Sequence, residues 1–212
     1  MERLITSTHR FSQFGCVLFT AALFITVSGC ATTKQPPAPK VAATPNYNYI
    51  IGPGDQLNIL VWRNPDLSTT VPVRPDGKIS VALVDDLPAM GKDPTTLSRD
   101  IEKVLAKYVR EPIVTVIVLG FVGPYSEQIR VIGEAAHPQA LPYKQNMTLL
   151  DVMIIVGGIT DFADGNNAKI VRASDGNRIY SVRLKDLLRR GDISANVDVR
   201  PGDVLIIPQS WF

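Results

Sequence analysis

Cysteine and histidine are nearly missing from this chain, with two of each in 212 residues. Cys16 and His9 sit in a leading stretch that reads as a removable signal, which leaves Cys30 and His137. A structural zinc site takes about four Cys or His ligands, and a Cys–His catalytic pair needs two partners that meet in space. The composition supplies neither, and no motif calls for a cofactor. Charge of one sign is also lacking. The formal net charge is +2, with Lys and Arg spread along the chain, so the basic footprint that phosphate backbones demand is absent and nucleic acid is excluded as a partner.

An apolar fraction of 45% is enough to build packed cores, as one large or two small domains. The amino terminus reads as an address. Arg3 and Arg10 precede the apolar run from Phe14 to Val27, the order of a secretory signal, and that run is shorter than the roughly 20 residues of a membrane span. It ends in Val27-Ser28-Gly29-Cys30, which resembles the lipobox of bacterial lipoproteins. The resemblance implies a signal peptide over 1–29 and a Cys30 that is acylated and becomes the new amino terminus. Two or more acyl chains hold a protein stably on a membrane, at about 0.8 kcal/mol per buried methylene. Ala31 follows, where Asp is the inner-membrane retention signal of the enteric sorting rule, so the outer membrane is expected. Residues 30–46 are rich in Thr, Lys, Ala and Pro and are expected to form an extended tether, reaching roughly 50 Å at about 3.1 Å per residue.

Two folded units are expected beyond it, 47–122 and 123–212, of α+β class. In the first, Leu57, Ile59 and Val61 alternate as a strand does after the turn Gly52-Pro53-Gly54-Asp55. Val71, Val73, Ile79 and Val81 flank Arg74-Pro75-Asp76-Gly77-Lys78 as a hairpin. Asp93-Pro94 opens a helix with Leu97, Ile101, Val104, Leu105 and Tyr108 on one face, and Pro112 stops it. Ile113 to Leu119 is β-branched enough for a central strand. In the second unit, a strand through Ile129 and Val131 precedes a helix capped by Thr148 and Asp151 and closed by Gly157-Gly158, apolar nearly all round and expected to be buried. A hairpin over 169–182 and a last strand from Val204 to Ile207 complete it. Pro-Gly-Asp occurs at 53–55 and again at 201–203, and both read as turns feeding a strand.

Other candidates read as structural. His137 beside Pro138 lacks a nucleophile at motif spacing. Asp85-Asp86 point to opposite faces if extended and read as a solvated loop, not a glycosidase pair. Asp161, Asp164, Gly165 and Asn166 lack the alternating ligands and closing Glu of a calcium loop. Lys185, Arg189 and Arg190 suit a helix carboxyl end. Trp211 and Phe212 are aromatics near a terminus, suited either to packing back or to contact with a partner, a sugar or a membrane interface.

The strings YIIGPGDQLNILVW (49–62), VRPDGKIS (73–80), YVREPIVTVIVL (108–119), VIGE (131–134), TLLDVMIIVGG (148–158) and VRPGDVLIIP (199–208) resemble, in family order, the polysaccharide export domain and the following β-grasp (SLBB) domain of Wza-type outer-membrane polysaccharide exporters. The resemblance implies no enzymatic activity but a periplasm-facing, lipid-anchored component of an export machine for exopolysaccharide or capsule. Its partners would be further copies of itself in a homo-oligomeric ring, an inner-membrane polysaccharide copolymerase, and the polysaccharide chain in transit. Larger members end in an amphipathic helix that forms the pore exit, whereas four residues follow the last strand here, so a separate outer-membrane β-barrel is expected. The alternative is a glycan-binding or scaffolding lipoprotein that forms no channel.

Overall fold

The computed structural model describes residues 35–40 and 47–211. Their fold is α+β, with two hydrophobic cores that follow one another in sequence.

The first core forms because strand β1 (Gln56–Val61) alternates its side chains, putting Leu57, Ile59 and Val61 on one buried face. β1 lies between β2 (Thr69–Pro72) and β5 (Val114–Gly120), antiparallel to both. Helix α1 (Pro94–Leu105) covers the inner face. Asp93 caps it by accepting from the Thr95 and Thr96 amides at 2.9 and 3.0 Å, and Pro94 occupies the first turn, where a missing N–H costs nothing. Leu97, Ile101 and Leu105 recur every four residues and are all buried.

Four expectations are corrected here. The 113–119 strand is not central but the edge of its sheet, because α1 covers only one of its faces and β1 alone flanks it. The helix ends at Leu105, so Tyr108 lies beyond it and is 63% exposed. The turn at 74–78 is real, with Arg74 N on the Lys78 carbonyl at 2.9 Å, but its flanking strands part company. β2 joins β1, whereas β3 (Lys78–Val81) pairs with β4 (Val84–Pro88) in a separate two-stranded sheet. Asp85 and Asp86 therefore lie on a strand rather than in a loop, and Arg74 Nη1 meets Asp86 at 2.6 Å.

The second core sits under a five-stranded sheet in the order β7-β6-β10-β8-β9. β6 (Gln128–Gly133) and β10 (Val204–Ile207) run parallel, and β7 (Ala140–Pro142), β8 (Ala168–Arg172) and β9 (Arg178–Val182) complete it antiparallel. Gly133 faces the Ile207 carbonyl so closely that an added Cβ would lie 2.0 Å from its oxygen, so only glycine fits there. Helices α2 (Leu149–Ile155) and α3 (Leu184–Arg190) pack on this core. In α2 the Asp151 carboxylate accepts from both the amide and the hydroxyl of Thr148 at 2.8 and 2.7 Å. α2 is not buried all round as expected. Leu149, Val152 and Met153 point inward, but Ile154 is 70% exposed.

The free tether expected over 30–46 is interrupted as well. Pro37 bridges Ser181 in parallel, and Ala38 is buried against the second core. Among the described residues no helix is long and apolar enough to cross a membrane.

Candidate functional site

The two Pro-Gly-Asp motifs fold into one and the same turn. Asp55 N returns to the Gly52 carbonyl at 3.2 Å and Asp203 N to the Arg200 carbonyl at 3.1 Å. Gly54 and Gly202 take φ of +90° and +80°, the third position of a Pro-Gly type II turn. In each turn the Asp side chain reaches back to the first residue, from Gly52 N at 2.9 Å and from Arg200 N at 3.0 Å.

The first Asp does more than close its turn. Asp55 is fully buried. Its Oδ2 also accepts from the Tyr49 hydroxyl at 2.7 Å, and its Oδ1 accepts from the Val122 and Gly123 amides at 2.7 and 2.9 Å. Gln128 holds the same two linker residues from the other side, donating from Nε2 to both carbonyls at 3.2 Å. The segment joining the two cores is thus gripped by a carboxylate of the first and an amide of the second. Gly52 allows the approach, since a Cβ there would lie 2.1 Å from the Gly123 carbonyl carbon. Burial, and then the hydrogen bond to Asp55, push the Tyr49 phenol well above its ordinary range.

The second Asp anchors a different arrangement. Arg172 is buried, donates from Nη2 to the Asp198 carbonyl at 2.9 Å, and lies over the Tyr180 ring. Nη2 also donates a long hydrogen bond to Asp203 Oδ2 at 3.4 Å, while Nε, 3.4 Å from the same oxygen, lacks the alignment of one. Burial raises the Asp203 carboxyl above its usual value. A loose buried ion pair of this kind is weak evidence of stability, and both residues support the sheet from within.

Two surfaces remain open. The outer face of β1 and β5 carries Leu60 and Trp62 beside Ile113, Ile117 and Leu119, each between 42% and 65% exposed. A groove of about 370 Å³ beside α2 is lined by Lys144, Asn146, Asp151, Ile154 and Ile155 among others.

The residues singled out from sequence do not converge. His137 is an exposed turn residue against Gly157. Asp161 pairs with Arg189 at 2.7 Å, Asp164 accepts from Asn167, and Asn166 donates to Asp186 at 3.0 Å. Arg190 meets Asp186 at 3.0 Å, four residues earlier on α3. Trp211 is 93% exposed, so it does not pack back on the domain. Cys30 and Phe212 lie outside the described residues. The sequence marks Asp55 only as a turn residue and gives Gln128 no role. The repeated Pro-Gly-Asp was the signal for Asp55, and nothing local marks Gln128.

Comparison with known proteins defines the class. A family model described as polysaccharide biosynthesis/export protein matches residues 43–119, and one described as SLBB domain matches residues 127–207. The chain is thus similar to Wza-type polysaccharide export proteins, with an export domain followed by one SLBB domain. It is 28% identical over 196 residues to the EPS I polysaccharide export outer membrane protein EpsA of Ralstonia nicotianae, covering 79% of this chain and 48% of that one. To the protein of the same name from Ralstonia solanacearum it is 29% identical over 187 residues, covering 77% and 48%. The chain thus spans about half the length of these two relatives.

Proposed function

We propose that this chain is a non-enzymatic component of a polysaccharide export machine at the outer membrane, anchored through Cys30 and assembled with copies of itself around a passage. The export role is supported by the order of the two matched domains and by the outer-membrane export function in the names of the relatives. The observation that carries self-association is the apolar outer face of β1 and β5. A sheet face with exposed Trp62, Ile117 and Leu119, on a strand whose far edge has no neighbouring strand among the described residues, is a surface that proteins normally cover. Head-to-tail use of one such face closes into a ring when the rotation permits.

In this reading the passage is fed by an inner-membrane copolymerase and continues through a separate outer-membrane barrel. The moving polymer meets many weak contacts, since tight binding would stall it. Deleting the gene should leave polymer synthesis running while polysaccharide disappears from the cell surface and accumulates inside the envelope. Undiminished surface polysaccharide would overturn the export role. Native mass spectrometry of the mature lipoprotein extracted with its membrane should give a closed oligomer, and a monomer would favour a scaffold that forms no channel.

A further inference from the structure

β9 is the last strand of its sheet, and its outward edge is covered by the chain's own residues 35–38. Ser181 N donates to the Pro36 carbonyl at 2.8 Å, Ala38 N donates to the Ser181 carbonyl at 3.1 Å, and the Ser181 hydroxyl reaches the Gln35 carbonyl at 3.2 Å. Ala38 closes the contact by burying its methyl group in the second core. The composition suits this role. Prolines at 36, 37 and 39 have no N–H, so Ala38 is the one backbone donor of residues 36–39 and it is spent on β9. The segment can satisfy one edge but cannot offer a fresh ladder to another chain.

We infer that Gln35–Ala38 is a mooring strand that fixes which end of the second domain faces the lipid surface. The inference rests on the reading of Cys30 as the acylated residue. Because the pairing is parallel, Gln35 lies toward the start of β9, beside the turn at 173–177. Gln35 is the fifth residue after Cys30, and at about 3.3–3.6 Å per residue the connecting backbone spans at most roughly 18 Å. A free tether would let the domain stand roughly 50 Å off and turn at will. The moored one keeps the 173–177 turn next to the membrane and the opposite end of the sheet, at Asn167, away from it.

Pro37→Cys with Ser181→Cys places the only unmodified thiols of the mature lipoprotein across this pairing. They should oxidise to an intramolecular cross-link in the full-length protein in cells, and hydrogen exchange on the unmodified chain should show the Ala38 and Ser181 amides protected. For orientation, a fluorophore at Ser174→Cys should be quenched more strongly than one at Asn167→Cys in phosphatidylethanolamine/phosphatidylglycerol vesicles carrying a headgroup nitroxide. Ala38→Pro, which deletes the N–H that Ala38 donates to Ser181, should abolish that difference. Incorporation of labelled fatty acid at Cys30 is scored in parallel. Lipid uptake without cross-link or amide protection overturns the mooring strand and leaves the anchor standing. A cross-link in a chain that takes no lipid overturns the anchor and the orientation while the strand survives. Equal quenching at the two sites, or stronger quenching at Asn167, overturns the orientation.

Discussion

Asp55 concentrates more of the structure than any other single side chain described, because four donors from both sides of a long sequence gap converge on one buried carboxylate. Asp55→Ala would strand the Gly52, Val122 and Gly123 amides out of water. It should cost about 3 kcal/mol or more in denaturant unfolding, since each buried unsatisfied group costs about 1–3 kcal/mol. Tyr49→Phe, which removes one donor and leaves the rest, should cost only about 1 kcal/mol in the same assay. Glu102 gives a pH signature. It accepts from the Val114 amide at 2.9 Å and pairs with Arg99, and these hold its carboxyl below the usual value. A carboxyl depressed in the folded state contributes stability that is complete above its unfolded value of about 4.3 and is lost as pH falls through the folded one. Glu102→Gln should therefore be less stable than wild type at pH 7 and lose less on acidification to pH 3, read from guanidinium midpoints at both. At this scale the sequence was informative about types but not partners. The motif around Asp55 was visible, but its tie to Val122 joins residues far apart in the chain and has no local trace.

Elements were legible where one period ran unbroken. β1, β10 and the 169–182 hairpin lie where alternation places them, and Asp93-Pro94 starts α1 as its capping chemistry requires. The ambiguous elements are those whose pattern admits two tertiary settings. A β-branched run suits a central strand or an edge strand backed by a helix, and β5 is the second kind. The Arg74–Lys78 turn looks like a hairpin whether or not its arms pair with each other. Gln35–Ala38 reads as linker because prolines suppress strand propensity, although an outermost strand needs few donors. Two substitutions test the helices. Ile101→Ala should cost about 2–5 kcal/mol from the cavity it leaves. Asp151→Ala, which frees the Thr148 amide and hydroxyl, should cost about 1 kcal/mol. Thermal unfolding monitored by circular dichroism distinguishes the two magnitudes.

For the whole molecule, the proposed self-association depends on a face that the fold itself does not need. Ile117→Glu combined with Leu119→Glu should abolish the oligomer in native mass spectrometry of the extracted lipoprotein. Monomer stability should stay within about 0.5 kcal/mol, because both side chains already point to solvent. An intact oligomer in this variant would move the interface elsewhere. Paired charges placed on the groove beside α2 serve as the control and should leave assembly unchanged.

In the proposed assembly, the grip on residues 122 and 123 would also limit how the subunits move. Blades hinged at their waist could widen an aperture by bending one by one, like the leaves of an iris. In that proposal a waist pinned by Asp55 and Gln128 would make each blade a stiff lever, and a bulky sugar branch would have to be admitted by neighbours sliding or tilting against each other.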